Sequence, residues 1–251
     1  MASYWIFKGN EEQEDDKTVK PWSEELVKGT VVYPRRRMLK AALFDLDGTL
    51  VDTEGQYSIF WGAVGQKYRP DVPGLELLIK GMTLTQIYER YFPDPDVQAA
   101  ITAELDKWEA QMNYGFFPGA LEFIRNLKEH GVRCVVVTSS NIPKMKSLAR
   151  QHPEFESLFD KVLTAEDFTA SKPAPDCYLQ AAKVMDAELD ECVVFEDAFN
   201  GLQAGMSSGI FTVGLATYNK PDAIRDKCHY VLPNFEGMTY EKLTEILNRK
   251  Y

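Results

Sequence analysis

Lys40-Ala-Ala-Leu-Phe-Asp45-Leu-Asp47-Gly-Thr49-Leu-Val-Asp52 decides how the rest of the chain is read. An apolar run fit for a buried strand stops at two carboxylates and a glycine. Side chains two apart on a strand point the same way, so Asp45 and Asp47 share one side where the strand ends. Gly48 lets the backbone turn sharply, and Thr49 places a hydroxyl donor nearby. Two carboxylates about 4 Å apart repel by roughly 4 kcal/mol at an effective dielectric of 20, so such a pair persists where a cation or a shared proton relieves it. An Asp-Gly turn at a strand exit is ordinary by itself. The hydrophobic lead-in and the paired carboxylates point instead to a metal-assisted acid site.

The surrounding chain has 251 residues, 45% hydrophobic and 26% charged, as in soluble globular proteins. Its formal charge of -10 opposes nonspecific binding to nucleic acid or to an anionic membrane. An anionic substrate stays compatible, because a bound metal reverses the local field. The four cysteines lack paired zinc spacing and a disulfide framework, and no apolar run reaches the ~20 residues of a membrane span. The amino terminus lacks a basic region followed by a long apolar core. A reduced, cytoplasmic setting and a monomer are expected.

Residues 1–37, with the charge runs Glu11–Asp16 and Arg35–Arg37, read as a solvated N-terminal extension. From Met38 strands and helices alternate. Apolar strands are expected at Val132–Val137, Lys161–Leu163, Cys192–Phe195, Ile210–Val213 and Tyr230–Leu232. Helical spacing separates them at Pro118–Leu127, Asn141–Gln151, Pro175–Met185 and Asn200–Ser208, and again at Tyr240–Asn248. This alternation predicts an α/β fold, a doubly wound, parallel, Rossmann-like sheet formed by residues 38–53 and 117–251. Residues 54–116 carry apolar positions at helical spacing and predict an inserted α-helical cap.

Open parallel sheets bind ligands beyond the carboxyl ends of their strands. Four polar segments fall there or just beyond. They are Asp45 with Asp47, Thr138-Ser139-Ser140 before a helix, Lys172 between Ser171 and Pro173, and Glu196-Asp197. Singly, each is a helix cap, a loop lysine or a polar strand exit. Jointly they supply a divalent-cation site, a nucleophile, hydroxyl donors and a cation, which is the equipment of phosphoryl transfer.

In order and spacing, Asp45-Leu-Asp47-Gly-Thr-Leu, Thr138, Lys172 and Glu196-Asp197 resemble the four motifs of the haloacid dehalogenase superfamily. The resemblance covers essentially residues 38–251, with 54–116 in the place of the family's helical cap, and is greatest to the β-phosphoglucomutase and phosphoglycolate-phosphatase branch. It implies that Asp45 is the nucleophile and Asp47 the general acid and base, with a carboxyl pKa raised for the acid step. It also implies a Mg²⁺ held by Asp45, the Asp47 carbonyl and Asp197, with Glu196 as ligand or support. Thr138 and Lys172, with Ser139, Ser140 and Gly48 nearby, would meet the phosphoryl oxygens. Asp47 disfavours dehalogenation, since that branch has no leaving oxygen to protonate.

Within the branch, a small-metabolite phosphatase acting on a sugar phosphate is expected over a sugar phosphomutase. Tyr57 stands where β-phosphoglucomutases carry a histidine. Leu84 stands where their cap has an arginine for the distal phosphate, although Lys80 is kept as a candidate substrate contact. A non-catalytic receiver-type module, phosphorylated on aspartate without turnover, has no need of the cap.

Overall fold

The computed structural model describes residues 38–80 and 82–248, and before them the backbone of four short strands. β1 (Tyr4–Lys8), β2 (Glu11–Asp15), β3 (Glu25–Val27) and β4 (Thr30–Pro34) pair antiparallel in the order β2-β1-β4-β3. They belong to a first unit, Met1–Met38, separate from Leu39–Tyr251. The acidic run read in the sequence as solvated therefore contains β2, and Arg35–Arg37 lie outside the described residues.

The second unit is organised on a six-stranded sheet: β5 (Ala41–Phe44), β6 (Arg133–Val137), β7 (Lys161–Leu163), β8 (Cys192–Glu196), β9 (Phe211–Leu215) and β10 (Tyr230–Leu232). The order is β10-β9-β8-β5-β6-β7 and every pairing is parallel. The reading of an α/β, doubly wound fold is borne out. β5 lies between β6 and β8, so both of its faces and both edges are covered, and all four of its residues are buried. That explains an apolar run without polar alternation.

The pleat still sorts the side chains. Ala42 and Phe44 join one core, with Phe123, Leu127 and Leu243 from α5 (Ala120–Glu129) and α11 (Tyr240–Leu247), flanked by α6 (Ile142–Gln151) and α7 (Phe155–Leu158). Ala41 and Leu43 join the other, with Tyr178, Ala181 and Ala204 from α8 (Asp176–Val184) and α9 (Phe199–Ser208). Phe44 stacks on Phe195 at 4.8 Å between ring centres, which ties β5 to β8 just below the polar strand ends. α10 (Pro221–Ile224) follows β9.

Between β5 and α5 the chain leaves the sheet through four helices: α1 (Glu54–Tyr68), α2 (Leu75–Leu78), α3 (Leu84–Tyr91) and α4 (Pro95–Glu109). Thr83 and Gln86 cap α3 reciprocally, and Asp94 with Pro95 starts α4. They bury a core of their own, including Phe60, Trp61, Leu75, Ile87 and Ile101. Outgoing and returning segments are joined where Asp52 N–H donates to the Gly115 carbonyl (2.8 Å) and Phe117 N–H to that of Leu50 (2.9 Å).

Candidate active site

Parallel strands end together, and this carries the predicted residues to one rim of the sheet. Asp45 follows β5, Thr138 follows β6, and Glu196-Asp197 close β8. Lys172 reaches the rim from the loop before α8, across a cis peptide bond to Pro173. All of these are buried, yet they border one cavity of about 630 Å³ under the cap, together with Asp47, Ser139 and Ser140.

The Lys172 ammonium is the electrostatic centre. It lies 2.6 Å from Asp45 Oδ1 and 2.7 Å from Glu196 Oε1, and donates to the Val137 carbonyl at 3.2 Å. Burial pushes its pKa down, but the charges on Asp45 and Glu196 outweigh that and hold it well above the usual lysine range. Glu196 is otherwise fully occupied. Its Oε1 also accepts from Tyr178, and its Oε2 accepts the N–H groups of Asp197 (2.9 Å) and Ala198 (3.0 Å). Gly201 makes this fit, since a Cβ there would lie 1.6 Å from Glu196 Oε1. Glu196 therefore orients Lys172 and the turn that carries Asp197.

Burial, then the neighbouring Glu196 charge, raises the Asp45 carboxyl to about 7 against the pull of Lys172. Burial and the charges of Glu196 and Asp45 push Asp197 well up too, although Thr49 donates to its Oδ1 at 3.0 Å. Oxygens of Asp45, Glu196 and Asp197 all lie within 4.8 Å of one another. Three carboxylates facing one ammonium leave two uncompensated negative charges, which a divalent cation matches, and an all-oxygen donor set suits Mg²⁺. Gly48, at φ +87°, turns the chain so closely past Asp197 that a Cβ would come within 2.2 Å of its Oδ2. The donor set fits a hard cation.

Asp47 departs from expectation. Burial raises its pKa, but the Lys144 charge, with hydrogen bonds from Lys144, Thr53 and Ser140, reverses the shift and leaves it below the ordinary carboxylate range. Thr53 Oγ1 and Lys144 Nζ each lie 2.5 Å from Oδ1, and Ser140 Oγ donates to Oδ2 at 2.7 Å. The raised pKa that an acid step requires is thus absent in this arrangement. Ser140 is engaged with Asp47, while Thr138 Oγ1 accepts from the Ser140 N–H (3.0 Å). Lys80 borders the cavity but is paired with Glu54 at 2.8 Å, and Gly81 lies outside the described residues.

Lys144, Thr53 and Glu109 were not singled out by the sequence. One signal was available for Lys144: a lysine in the first turn of α6 opposes the helix dipole, and only a nearby anion offsets that. Thr53 lies where the chain leaves for the cap, six residues after Asp47, and Glu109 ends α4; neither belongs to a motif.

A profile of the haloacid dehalogenase-like hydrolases matches residues 42–215, which contain every motif residue described above. The chain belongs to that family. Hexitol phosphatase A of Escherichia coli (strain K12) is 31% identical over 213 residues, covering 81% of this chain and 94% of the relative. A β-phosphoglucomutase of Bacillus subtilis (strain 168) is 26% identical over 194 residues, covering 70% and 83%. A family IA hydrolase from Entamoeba histolytica shares the fold, with a TM-score of 0.73 at 23% identity over 84% of this chain and all of that one. The chain spans 56% of the length of another relative, the bifunctional riboflavin kinase/FMN phosphatase of Arabidopsis thaliana. This haloacid dehalogenase-like hydrolase thus has relatives that act on small phosphorylated compounds, phosphatases and a mutase among them. Among the described residues no helix is long and apolar enough to cross a membrane.

Proposed function

We propose that this hydrolase is a Mg²⁺-dependent phosphatase that removes phosphate from a small metabolite, a sugar phosphate by preference, through an aspartyl phosphate on Asp45. The observation that carries the reading is the meeting of Asp45, Lys172, Glu196 and Asp197 within hydrogen-bonding or ligating reach of one another. Asp45 attacks phosphorus as the ester oxygen leaves, and water then cleaves the acyl phosphate, so two easier displacements replace one. Asp47, whose proton affinity the negative charge of a bound phosphate raises from its depressed value in the substrate-free site, protonates the leaving oxygen and then takes a proton from the attacking water. Lys172 and Thr138 neutralise and orient the transferring oxygens. Asp45, Asp197 and the Asp47 carbonyl would hold Mg²⁺, with Glu196 behind them, and the bound ion supplies charge neutralisation at the nucleophile and the phosphoryl group. A reduced, cytoplasmic setting, with which four buried free cysteines agree, and a monomeric state complete the reading.

A phosphate-release assay over a panel of sugar and polyol phosphates tests this. Turnover with Mg²⁺ that EDTA abolishes is expected, and a panel with no turnover would remove the reading. The mutase alternative needs a second anion cradle. Lys80 is committed to Glu54, and Leu84 offers no charge where the mutases carry arginine. With β-glucose 1-phosphate and its bisphosphate primer, inorganic phosphate is expected without glucose 6-phosphate. Accumulation of glucose 6-phosphate would reverse the assignment.

Mg²⁺ binding should also depend on pH with a definite sign. Asp45 near 7 and Asp197 above its usual range hold protons in the metal-free protein at mildly acidic pH, and the ion must displace them. Affinity should therefore fall by about tenfold or more per unit below pH 7. For the same reason the folded metal-free protein binds more protons than the unfolded chain between about pH 4 and 7, so its stability declines as pH rises through that window. Thermal unfolding should show a larger Mg²⁺-induced rise in Tm at pH 8 than at pH 5. An equal rise at both would contradict the assignment.

A further inference from the structure

Lys144 is nearly inaccessible, 3% exposed, and lies outside the four motifs described above. It occupies the third position of α6, where a positive charge opposes the helix dipole. Its ammonium lies 2.5 Å from Asp47 Oδ1, donates to Ser140 Oγ at 2.9 Å, and sits 4.5 Å from the centre of the Tyr57 ring. Tyr57 belongs to the cap, and its hydroxyl donates to Glu109 of α4 at 2.8 Å. Glu109 is itself buried, and its Oε2 has no hydrogen-bond partner among the described residues.

From this junction we infer that Lys144 is the positioning residue for Asp47: a cation fixed between the sheet and the cap sets the direction of the acid/base carboxylate. The inference rests on the phosphatase reading. A carboxylate on a short stem rotates freely about its terminal bond. Three donors from three places remove that freedom: Thr53 at the entrance to the cap, Ser140 beyond β6, and Lys144 on α6. Of these, Lys144 alone carries charge, and the Tyr57 ring face covering it is held by the cap. Its position thus joins the carboxylate to the cap that encloses the substrate.

The experiment uses the full chain with Mg²⁺ and two substrates. Sorbitol 6-phosphate expels an alkoxide that needs a proton, whereas para-nitrophenyl phosphate expels a phenolate that scarcely does. Lys144→Met keeps the stem and removes the charge. It should lower kcat on the sugar alcohol phosphate about thirtyfold or more while KM moves less than about threefold, and the aryl-to-alkyl kcat ratio should rise about tenfold. In an Asp47→Asn background the same change should cost less than about threefold further, because the group through which Lys144 acts is already disabled. Lys144→Arg should recover most of the loss. Equal losses on both substrates, or losses that multiply in the double variant, would overturn the inference. If Lys144→Met does not fold, Lys144→Gln is read through the same cycle. A wild-type chain inactive on both substrates removes the phosphatase reading, and the role of Lys144 with it. An active one with multiplying losses removes only the latter.

Discussion

Asp45→Asn should abolish phosphate release, with kcat falling roughly 10⁴-fold or more, as losses of a covalent nucleophile do elsewhere. The amide cannot form the acyl phosphate, and its neutral oxygen is a weaker ligand for a divalent cation than the carboxylate. Stability should move the other way. Asp45 is a buried carboxylate beside Glu196 and Asp197, and its pKa near 7 reports how poorly its charge is accommodated without a cation. Removing that charge relieves repulsion, so the metal-free variant should unfold no lower than the parent at pH 8, where the parent is ionised. Because activity and stability move apart, simple misfolding is excluded as the cause of inactivity. Turnover by Asp45→Asn within tenfold of the parent would disprove the assigned role.

Lys172→Met should cost both. Lys172 is 5% exposed and its ammonium bridges Asp45 and Glu196, so its loss leaves two buried carboxylates without their shared counter-ion. Breaking a buried pair by removing one partner typically costs about 3–5 kcal/mol. For a domain of this size that is a fall in Tm of roughly 6–20 °C. Activity should drop by about 10²–10³-fold, the scale set by loss of one preorganised donor to the transferring group. Unlike Asp45→Asn, the deficit in Tm should narrow at low pH, where protonation of the stranded carboxylates relieves them. A Tm unchanged at neutral pH would mean that the Lys172 contacts do not hold in solution.

The framework was legible because buried parallel strands leave an unmistakable trace. Cys192–Phe195 and Lys161–Leu163 were expected within a residue of where β8 and β7 lie, and the polar residues just past β5, β6 and β8 could be assigned to one rim from strand direction alone. α7 and α10, four residues each, were missed, since a single helical turn has no periodicity to read. The side-chain roles near Asp47 were less accessible. Ser140 is expected at the phosphate because it precedes a helix; it borders the cavity, and its hydroxyl also donates to Asp47, which the sequence does not disclose. The ordinary pKa logic for a buried acid failed there for a related reason: Lys144 lies 97 positions away from Asp47 in sequence. Such a partner is brought in by the packing of α6 against the sheet, and only the folded chain discloses it. Glu196, conversely, could be located but not understood, because its four hydrogen-bond donors come from the turn after β8, from α8 and from the loop before it.

The most direct measurement is chemical capture of the intermediate. The enzyme is quenched in acid during turnover with Mg²⁺ and a sugar alcohol phosphate, reduced with borohydride and mapped by mass spectrometry. Homoserine at position 45, dependent on substrate and absent with EDTA, is the predicted result. Release of inorganic phosphate while Asp45 remains an unmodified aspartate, or label on another residue, would contradict the account.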